Sequence, residues 1–565
     1  MAFRVLVVDA LAAGKGRRSF TRDFIGAGPR VVAGLLEGGS RGNVVVRVKR
    51  AEEVLTRPRD LASFDALCVS AMSVDLPACR KLATLWRKAH RRRKPLLVGG
   101  PVTADSRLRE LLDYDFAARG EGESFLGELG RQFERVVAMD GTLAREHPNL
   151  HFRDDEKPLP RVPRRLTRSE WNVTPPQTAH VRDYVDFRSA RVIVECVRGC
   201  SNYQRPKIRL PGVKGTQEPA SGSCPADCPG CEEAGELDCR RGIPPGCAYC
   251  ATIGLLGPPK SRDVGLVVRE VKELLELGVR KVVLGASDLL EYGRDLLVEP
   301  ATLTTPTPPP GPNHEAIEQL VENLRALVQN YDDVKFFVEN VKATLVTERA
   351  LDALASLPVT SFSLGVETGD PTHAAQLGRP GDPRHSLEVV KLAKAKGFSV
   401  HAYFIHSLPG TSFQVAKATI ALMKKLAAAG VDKITIYKFR PLPGTYFALW
   451  WERASREERQ RVEKLGREVR DVAIAINLEK KRKWVGKMVE LDVVEPHSRQ
   501  PGWAIGRPVG EGPLVALRDG LQFVGRRVRC RIVGVLSDKL LEGVFALKDD
   551  EQGDDGHGDA THERV

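Results

Sequence analysis

Eleven cysteines are spread unevenly along this 565-residue chain: eight fall between Cys196 and Cys250, and only Cys68, Cys79 and Cys530 lie elsewhere. Thiols crowded in this way form disulfides, hold a metal ion or ligate an iron–sulfur cluster. Disulfides need an oxidising compartment. The amino-terminal run MAFRVLVVDALAAGKG is too briefly apolar, and lacks the basic lead-in, for a secretory leader. Metal or iron–sulfur ligation in a cytoplasmic protein is therefore the expected chemistry. No stretch approaches the ~18 consecutive apolar residues of a membrane helix.

The cysteines need a scaffold, and the pattern around them predicts one. Arg191–Glu195 reads as a strand leading into Val197-Arg-Gly-Cys200, and Gly246-Cys247-Ala-Tyr249-Cys250 precedes a helix over Asp263–Leu277, with Asp263 placed to cap it. Further strands are expected at Lys281–Leu284, Lys335–Val338, Ser361–Val366, Ser399–Ile405 and Lys433–Tyr437, with helical patterns between them. Six such units make a (β/α)6 partial barrel over residues 186–480, the cysteine loop lying at a strand's C-terminal end, where α/β sheets bind ligands. Glu299–Asn313, rich in Thr and Pro, reads as an inserted loop. Ahead of the barrel, residues 1–140 alternate strands (Phe3–Val8, Ala66–Val69, Pro95–Val98, Phe116–Ala118) with helices, which predicts a doubly wound parallel, flavodoxin-like domain. Residues 141–185 read as a linker, residues 481–548 as a small all-β barrel, and residues 549–565 as a disordered acidic tail.

Cys247-Ala-Tyr249-Cys250 resembles the second half of the Cys-x3-Cys-x-aromatic-Cys signature of the radical S-adenosylmethionine (SAM) superfamily. That resemblance implies a [4Fe–4S] cluster whose three irons are held by Cys200, Cys247 and Cys250, with the fourth iron open to SAM and residues 201–246 as an insertion. Other arrangements stay open. Cys224, Cys228 and Cys231 have the formal spacing, though Gly230 replaces the aromatic. With Cys239 they also suit an auxiliary tetrathiolate site for zinc, a single iron or a second Fe–S cluster. Cys239 can instead join Cys247 and Cys250, and the whole loop can be zinc ribbons. Cys196 is a spare, suited to the core.

Further segments carry the resemblance. Ser363-Leu-Gly365-Val-Glu367 is similar to the fourth-strand Gly-x-Glu segment near the cofactor's methionine and ribose. Leu284-Gly285-Ala-Ser287 takes the place of the second-strand segment that receives the methionine amino group, and Tyr249 is the aromatic of the signature. Tyr403–Gly410 and Phe439–Thr445 resemble the fifth and sixth strand endings, the latter as in tRNA methylthiotransferases. His401 and His406 flank the fifth strand, where a structural role is the ordinary one.

The front domain resembles cobalamin-binding domains. Asp9-Ala-Leu11-Ala-Ala-Gly14 stands where those have Asp-x-His-x-x-Gly, so Leu11 removes the cobalt-ligating histidine. Ser70, Gly99, Gly100, Gly120 and Glu121 complete the expected cofactor edge. Trp484–Phe545 looks like a TRAM domain, with Arg507, Arg526, Arg527 and Arg529 as phosphate contacts. The net charge of +13 permits an RNA partner. The resemblance thus implies an archaeal-type enzyme that takes electrons from a donor such as ferredoxin or flavodoxin. It would modify, by methylation or methylthiolation, an unreactive carbon of RNA or tRNA. Modification of tetraether lipids, and a non-catalytic RNA- or metal-binding protein, are the alternatives.

Overall fold

The computed structural model describes residues 2–18, 22–154, 163–211, 243–298 and 310–546. The chain divides into two compact units, residues 1–473 and 474–565. Cys224, Cys228, Cys231, Cys239 and the acidic tail lie outside the described residues.

The first unit holds two sheets. In the front sheet, β1 (Phe3–Asp9) is followed in the chain by β2 (Phe24–Ile25), β3 (Val44–Arg50), β4 (Ala66–Ser70), β5 (Leu96–Gly99), β6 (Phe116–Ala118) and β7 (Leu150–Phe152). The order is β3-β1-β4-β5-β6-β7, parallel except for β7. This is the doubly wound, flavodoxin-like arrangement expected, and its order reverses between β1 and β4, where such sheets open a ligand crevice. The strand β2 leaves this sheet and pairs with the first barrel strand.

That strand is β8 (Arg191–Glu195). After β9 (Val197–Arg198) and β10 (Lys260–Ser261), which pair as a short ribbon, come β11 (Lys281–Gly285), β12 (Lys335–Lys342), β13 (Val359–Glu367), β14 (Ser399–His406) and β15 (Lys433–Lys438). The parallel order β15-β14-β13-β12-β11-β8-β2 makes a curled six-strand half-barrel with β2 added at its edge. All six strands read from the pattern are present. Asp263 does precede the helix Val264–Glu276, but its carboxylate does not cap it; it is taken by Arg168 at 2.6 Å.

Buried charge joins the front sheet to the barrel. Arg30, 1% exposed, donates to the carbonyls of Ile193 (2.6 Å) and Gln177 (2.9 Å) and pairs with Glu270. Arg198 pairs with Glu121 (3.1 Å), Glu123 (2.6 Å) and Glu195 (2.6 Å), and Lys260 pairs with Glu121 (2.7 Å). The connecting segment adds β7 to the front sheet and a short helix, Arg168–Asn172, whose Trp171 ring lies under both Arg198 and Arg262.

In the second unit β16 (Met488–Pro496), β17 (Ala504–Pro508), β18 (Leu514–Leu517), β19 (Arg527–Ser537) and β20 (Leu540–Phe545) close a five-stranded barrel in the order β16-β17-β18-β20-β19. Leu491, Val493, Val515, Leu517, Ile532 and Leu541 fill it. Along β19 buried Val528, Cys530 and Ile532 alternate with exposed Arg527, Arg529 and Arg531, the period-two pattern of a strand with one wet face.

Candidate functional site

The cysteine segments are turned into the mouth of the half-barrel by glycines. Gly199 has φ +82°, and a Cβ there would lie 2.0 Å from the Pro258 carbonyl oxygen, so the chain can reach Cys200 only through glycine. The Cys200 amide donates to the Gly257 carbonyl at 3.1 Å. Gly246 (φ +87°) starts the second turn, closed by the Cys250 amide donating to the Cys247 carbonyl at 2.9 Å.

Asn202 ties the two segments together. Its side-chain amide donates to the Cys247 sulfur (3.2 Å) and to the Gly378 carbonyl (2.8 Å). Cys200, Cys247 and Cys250 are all half-buried free thiols. Burial pushes the Cys200 thiol up to about 12, with Lys342 opposing the shift and Glu291 and Cys250 adding to it. Burial and then Cys247 raise Cys250. Cys250 thus feels the charge of both Cys200 and Cys247 in a low-dielectric pocket. Among the described residues no three His, Cys, Asp or Glu side chains are grouped around a single ion, and what Cys200, Cys247 and Cys250 supply is three soft sulfur donors, one per iron. This donor set fits a [4Fe–4S] cluster held by three cysteines. Cys196, in contrast, is fully buried, its sulfur 3.7 Å from the Val194 carbonyl.

The pocket is braced by residues the sequence reading did not single out. Ser201 donates its hydroxyl to Glu291, which is fully buried between Arg294 (2.6 Å) and Lys342. Burial opposes ionisation of Glu291, but Lys342 and Arg294 hold it below the usual carboxylate range. On the other side Arg379 donates to the Tyr249 hydroxyl (3.0 Å) and to the Gly365 carbonyl, and stands 3.9 Å from Glu367. Burial works against the Arg379 charge, yet Tyr249 and Glu367 keep it fully on. Glu367 has φ +69°, a strained backbone for a glutamate, and burial raises its carboxyl. Arg379 therefore couples the cysteine turn to the Gly-x-Glu strand. Only a Leu-Gly-Arg-Pro-Gly turn marks it in the sequence, and no periodicity does.

Gly285 and Ser287 are near this pocket in different roles. A Cβ on Gly285 would meet Ile193 Cγ2 at 2.6 Å, so it permits close packing of β11 on β8, while the Ser287 hydroxyl donates to the Gly199 carbonyl. His406 is buried, bonded to the Ser407 hydroxyl at 2.9 Å, and pushed down to about 4 by burial, Arg470 and Lys438.

At the front sheet, Ser70, Gly99 and Gly100 lie half-buried at the C-terminal ends of adjacent strands. Gly100 has φ +87°, with the Ala71 carbonyl 2.7 Å from where a Cβ would stand. Asp9 is instead committed inward: it pairs with Arg18 (3.0 Å), both side chains fully buried, and accepts from the Tyr184 hydroxyl (2.9 Å). Gly14 is held by Asp75 through its amide (2.7 Å), Gly120 packs on Pro163, and Glu121 sits in the junction with Arg198 and Lys260. Leu11 is half-buried beside Asp9, whose carboxylate takes its amide at 2.9 Å.

A family model described as the radical SAM superfamily matches residues 238–423, a span that takes in Cys239, Cys247, Cys250 and Glu367 and begins after Cys200. An uncharacterized protein of Methanopyrus kandleri is 38% identical over 547 residues, 96% of each chain. The chain belongs to the radical SAM superfamily. It is an enzyme, and its cofactors are those of the superfamily, a [4Fe–4S] cluster and SAM. The ribosomal protein uS12 methylthiotransferase RimO of Chloroflexus aurantiacus is 26% identical over 290 residues, 49% of this chain and 57% of that protein. Among solved structures, the radical SAM methyltransferase TsrM of Kitasatospora setae, with cobalamin and a [4Fe–4S] cluster bound, shares the fold. Its TM-score is 0.52 at 14% identity, over 79% of this chain and 77% of that one. No helix among the described residues of the radical SAM chain is long and apolar enough to cross a membrane.

Proposed function

We propose that this radical SAM enzyme transfers a methyl group to an unreactive carbon of RNA, most simply tRNA. Cys200, Cys247 and Cys250 would hold the catalytic cluster, and Ser70, Gly99 and Gly100 the edge of a cobalamin. When bound, the reduced cluster supplies the electron that cleaves SAM to methionine and a 5′-deoxyadenosyl radical. The observation that carries the substrate class is the polar inner face of the half-barrel. Ser363, His401 and Tyr403 share it, while Phe362, Leu364, Ala402 and Phe404 point to the helices. A tetraether lipid would want an apolar cavity there. The neighbours support the reading by kind: methylthiotransferases in sequence, and a cobalamin methyltransferase in fold.

The TRAM-like barrel would hold the RNA, but the structure redistributes its contacts. Arg527 and Arg529 face Asp492 and Glu490 across the β16–β19 ladder, Arg527 pairing with Asp492 at 3.0 Å, and Arg507 is buried. Arg526 and Arg531 are exposed, with no carboxylate partner among the described residues. Beside Arg526, whose amide closes a turn onto Phe523, the Phe523 and Phe545 rings stack at 4.6 Å, and Phe545 is 40% exposed. The exposed Phe545 ring, backed by half-buried Phe523 and flanked by Arg526, suits an unpaired base and its phosphate. Replacing Arg526 and Arg531 together in the full chain is expected to weaken binding of unrelated RNAs alike and to flatten the log–log salt slope by about 1.5–2. Filter binding across a salt series checks this; an unchanged slope would remove the barrel from the RNA site. Mass spectrometry of tRNA and of lipids from a deletion strain tests the substrate class itself. A missing tRNA methyl group supports the reading, and a change confined to lipids refutes it.

Cobalamin bound at this edge is expected to carry no protein nitrogen on cobalt, because Leu11 cannot ligate. Electron paramagnetic resonance of the Co(II) form reports this directly. Nitrogen splitting from a protein ligand would contradict the Leu11 argument.

A further inference from the structure

We propose that a cationic groove on the front domain grips the sugar–phosphate backbone of an RNA strand. The inference rests on the RNA reading above and adds a second set of phosphate contacts, carried by the first unit.

The groove has a volume of about 710 Å³, within the usual ligand-pocket range of about 300–1,000 Å³. It lies where the loop after β1 meets the helices Ala51–Thr56 and Leu76–Ala89. Lys15, Arg17, Arg80 and Lys81 line it with charge, and Leu55 and Leu85 line it with hydrocarbon. None of the residues assigned to the cobalamin edge takes part.

Its shape is built in advance. Asp75, fully buried, accepts from the Ala12 (3.1 Å) and Gly14 (2.7 Å) amides, and the Ala78 amide donates to the Gly14 carbonyl at 3.0 Å. The loop is thereby fixed to the start of the second helix. Gly16 has φ +114°, and a Cβ there would stand 2.6 Å from Leu55 Cδ1, so only glycine lets the loop approach the first helix. The Lys81 ammonium then donates to the Lys15 carbonyl at 2.6 Å and ties loop to helix across the groove.

Its charge is of one sign. Among the described residues no carboxylate lines the groove, and the exposed Lys15 and Arg17 side chains make no ion pair or hydrogen bond there. Arg80 is anchored through Nε, which donates to the Leu111 carbonyl at 2.6 Å. Its two terminal nitrogens have no acceptor among the described residues, and they form the fork that holds phosphate oxygens. The positive surface runs on along the same helix. Arg87 is taken by Asp113 (3.0 Å) and Asp115 (2.9 Å), but exposed Lys88, Arg91 and Arg92 make no ion pair among the described residues. All four groove cations are exposed, so the groove is open, as a passing strand requires. Half-buried Leu55 and Leu85 give a ribose or base an apolar wall that reads no sequence.

The test uses the full chain, reconstituted anaerobically, with bulk tRNA in filter binding across a salt series. Lys15→Gln with Arg17→Gln is expected to make the log–log slope shallower by about 1.5, since each phosphate contact contributes about 0.7–0.9. Thermal unfolding of that double variant should match wild type, because neither side chain bonds within the described residues. Lys417→Gln with Lys424→Gln, at exposed positions of the helix Phe413–Ala428, removes the same charge and should leave the slope unchanged. An unaltered slope in the first pair, or an equal change in both pairs, overturns the groove while leaving the RNA reading intact. Adenosine 5′-monophosphate that binds wild type but not the first pair, with the tRNA slope unaltered, overturns the strand in favour of a small phosphorylated ligand. Polyaspartate that displaces tRNA as well as polyuridylate of equal charge overturns it in favour of an acidic protein. Failure of the wild-type protein to bind tRNA at all overturns both readings.

Discussion

Alanine at Cys247 or at Cys250 is expected to reduce reductive cleavage of SAM to background. Each thiol lies in the pocket that Asn202 and Arg379 brace, and each is needed to hold one iron. With a ligand lost, the cluster either fails to assemble or exchanges its fourth, open position for a coordination that SAM cannot use. Cys200→Ala should behave alike, since its thiol feels the charge of Cys250 and its loop is anchored through Ser201 to Glu291. Single alanines at Cys224, Cys228 or Cys231 should leave SAM cleavage measurable, because their role would be auxiliary. The measurement is 5′-deoxyadenosine formed by anaerobically reconstituted protein with dithionite, read by liquid chromatography. Wild-type activity in Cys247→Ala would move the catalytic cluster to the insertion.

The second large effect concerns stability. Arg198→Leu should destabilise the first unit by about 3–5 kcal/mol, the usual cost of leaving buried charges without their partner. Glu121 would keep Lys260, but Glu123, whose side chain is 5% exposed, pairs with Arg198 at 2.6 Å and would be left charged in the junction. Burial opposes ionisation of Glu123, yet Arg198 outweighs it and holds the carboxyl below its usual range. The sign follows. A depressed carboxylate contributes stability above its unfolded pKa, and that contribution disappears as pH falls through the folded value. The wild-type advantage over Arg198→Leu should therefore be full at neutral pH and shrink below about pH 4. Thermal unfolding of both proteins across that range measures it. Adding Glu123→Gln to Arg198→Leu should recover part of the loss, because it removes the stranded charge. A double variant no more stable than the single one would mean that Arg198 acts through its packing on Trp171 instead.

Much of this architecture was legible because it is written locally. The alternation of apolar runs and amphipathic helices gave all six barrel strands, and the Cys-Ala-Tyr-Cys turn marked the site. The elements that escaped are those whose local pattern is weak. Val44–Arg50 is an edge strand that alternates valine with Arg and Lys, so it resembles a solvated stretch. Ala504–Pro508 is buried along its whole length and carries Gly506, leaving no alternation to read. The bracing residues escaped for another reason. Arg379 meets Tyr249 across 130 positions and Asn202 meets Gly378 across 176, so only folding brings them together. The same holds for the junction, where Glu121 looked like part of a cofactor edge and instead meets Arg198 and Lys260. Buried arginines between glutamates carry no sequence signature apart from the fold that assembles them.

Cys200, Cys247 and Cys250 are proposed to hold a four-iron cluster with one iron open to SAM. Mössbauer spectroscopy tests it most directly, on full-length protein reconstituted with isotopically enriched iron and with Cys224, Cys228, Cys231 and Cys239 all changed to serine. The expected result is a [4Fe–4S] spectrum in which adding SAM shifts the signal of one iron in four. Protein that takes up zinc and no iron, or a cluster whose spectrum SAM leaves unchanged, would contradict it.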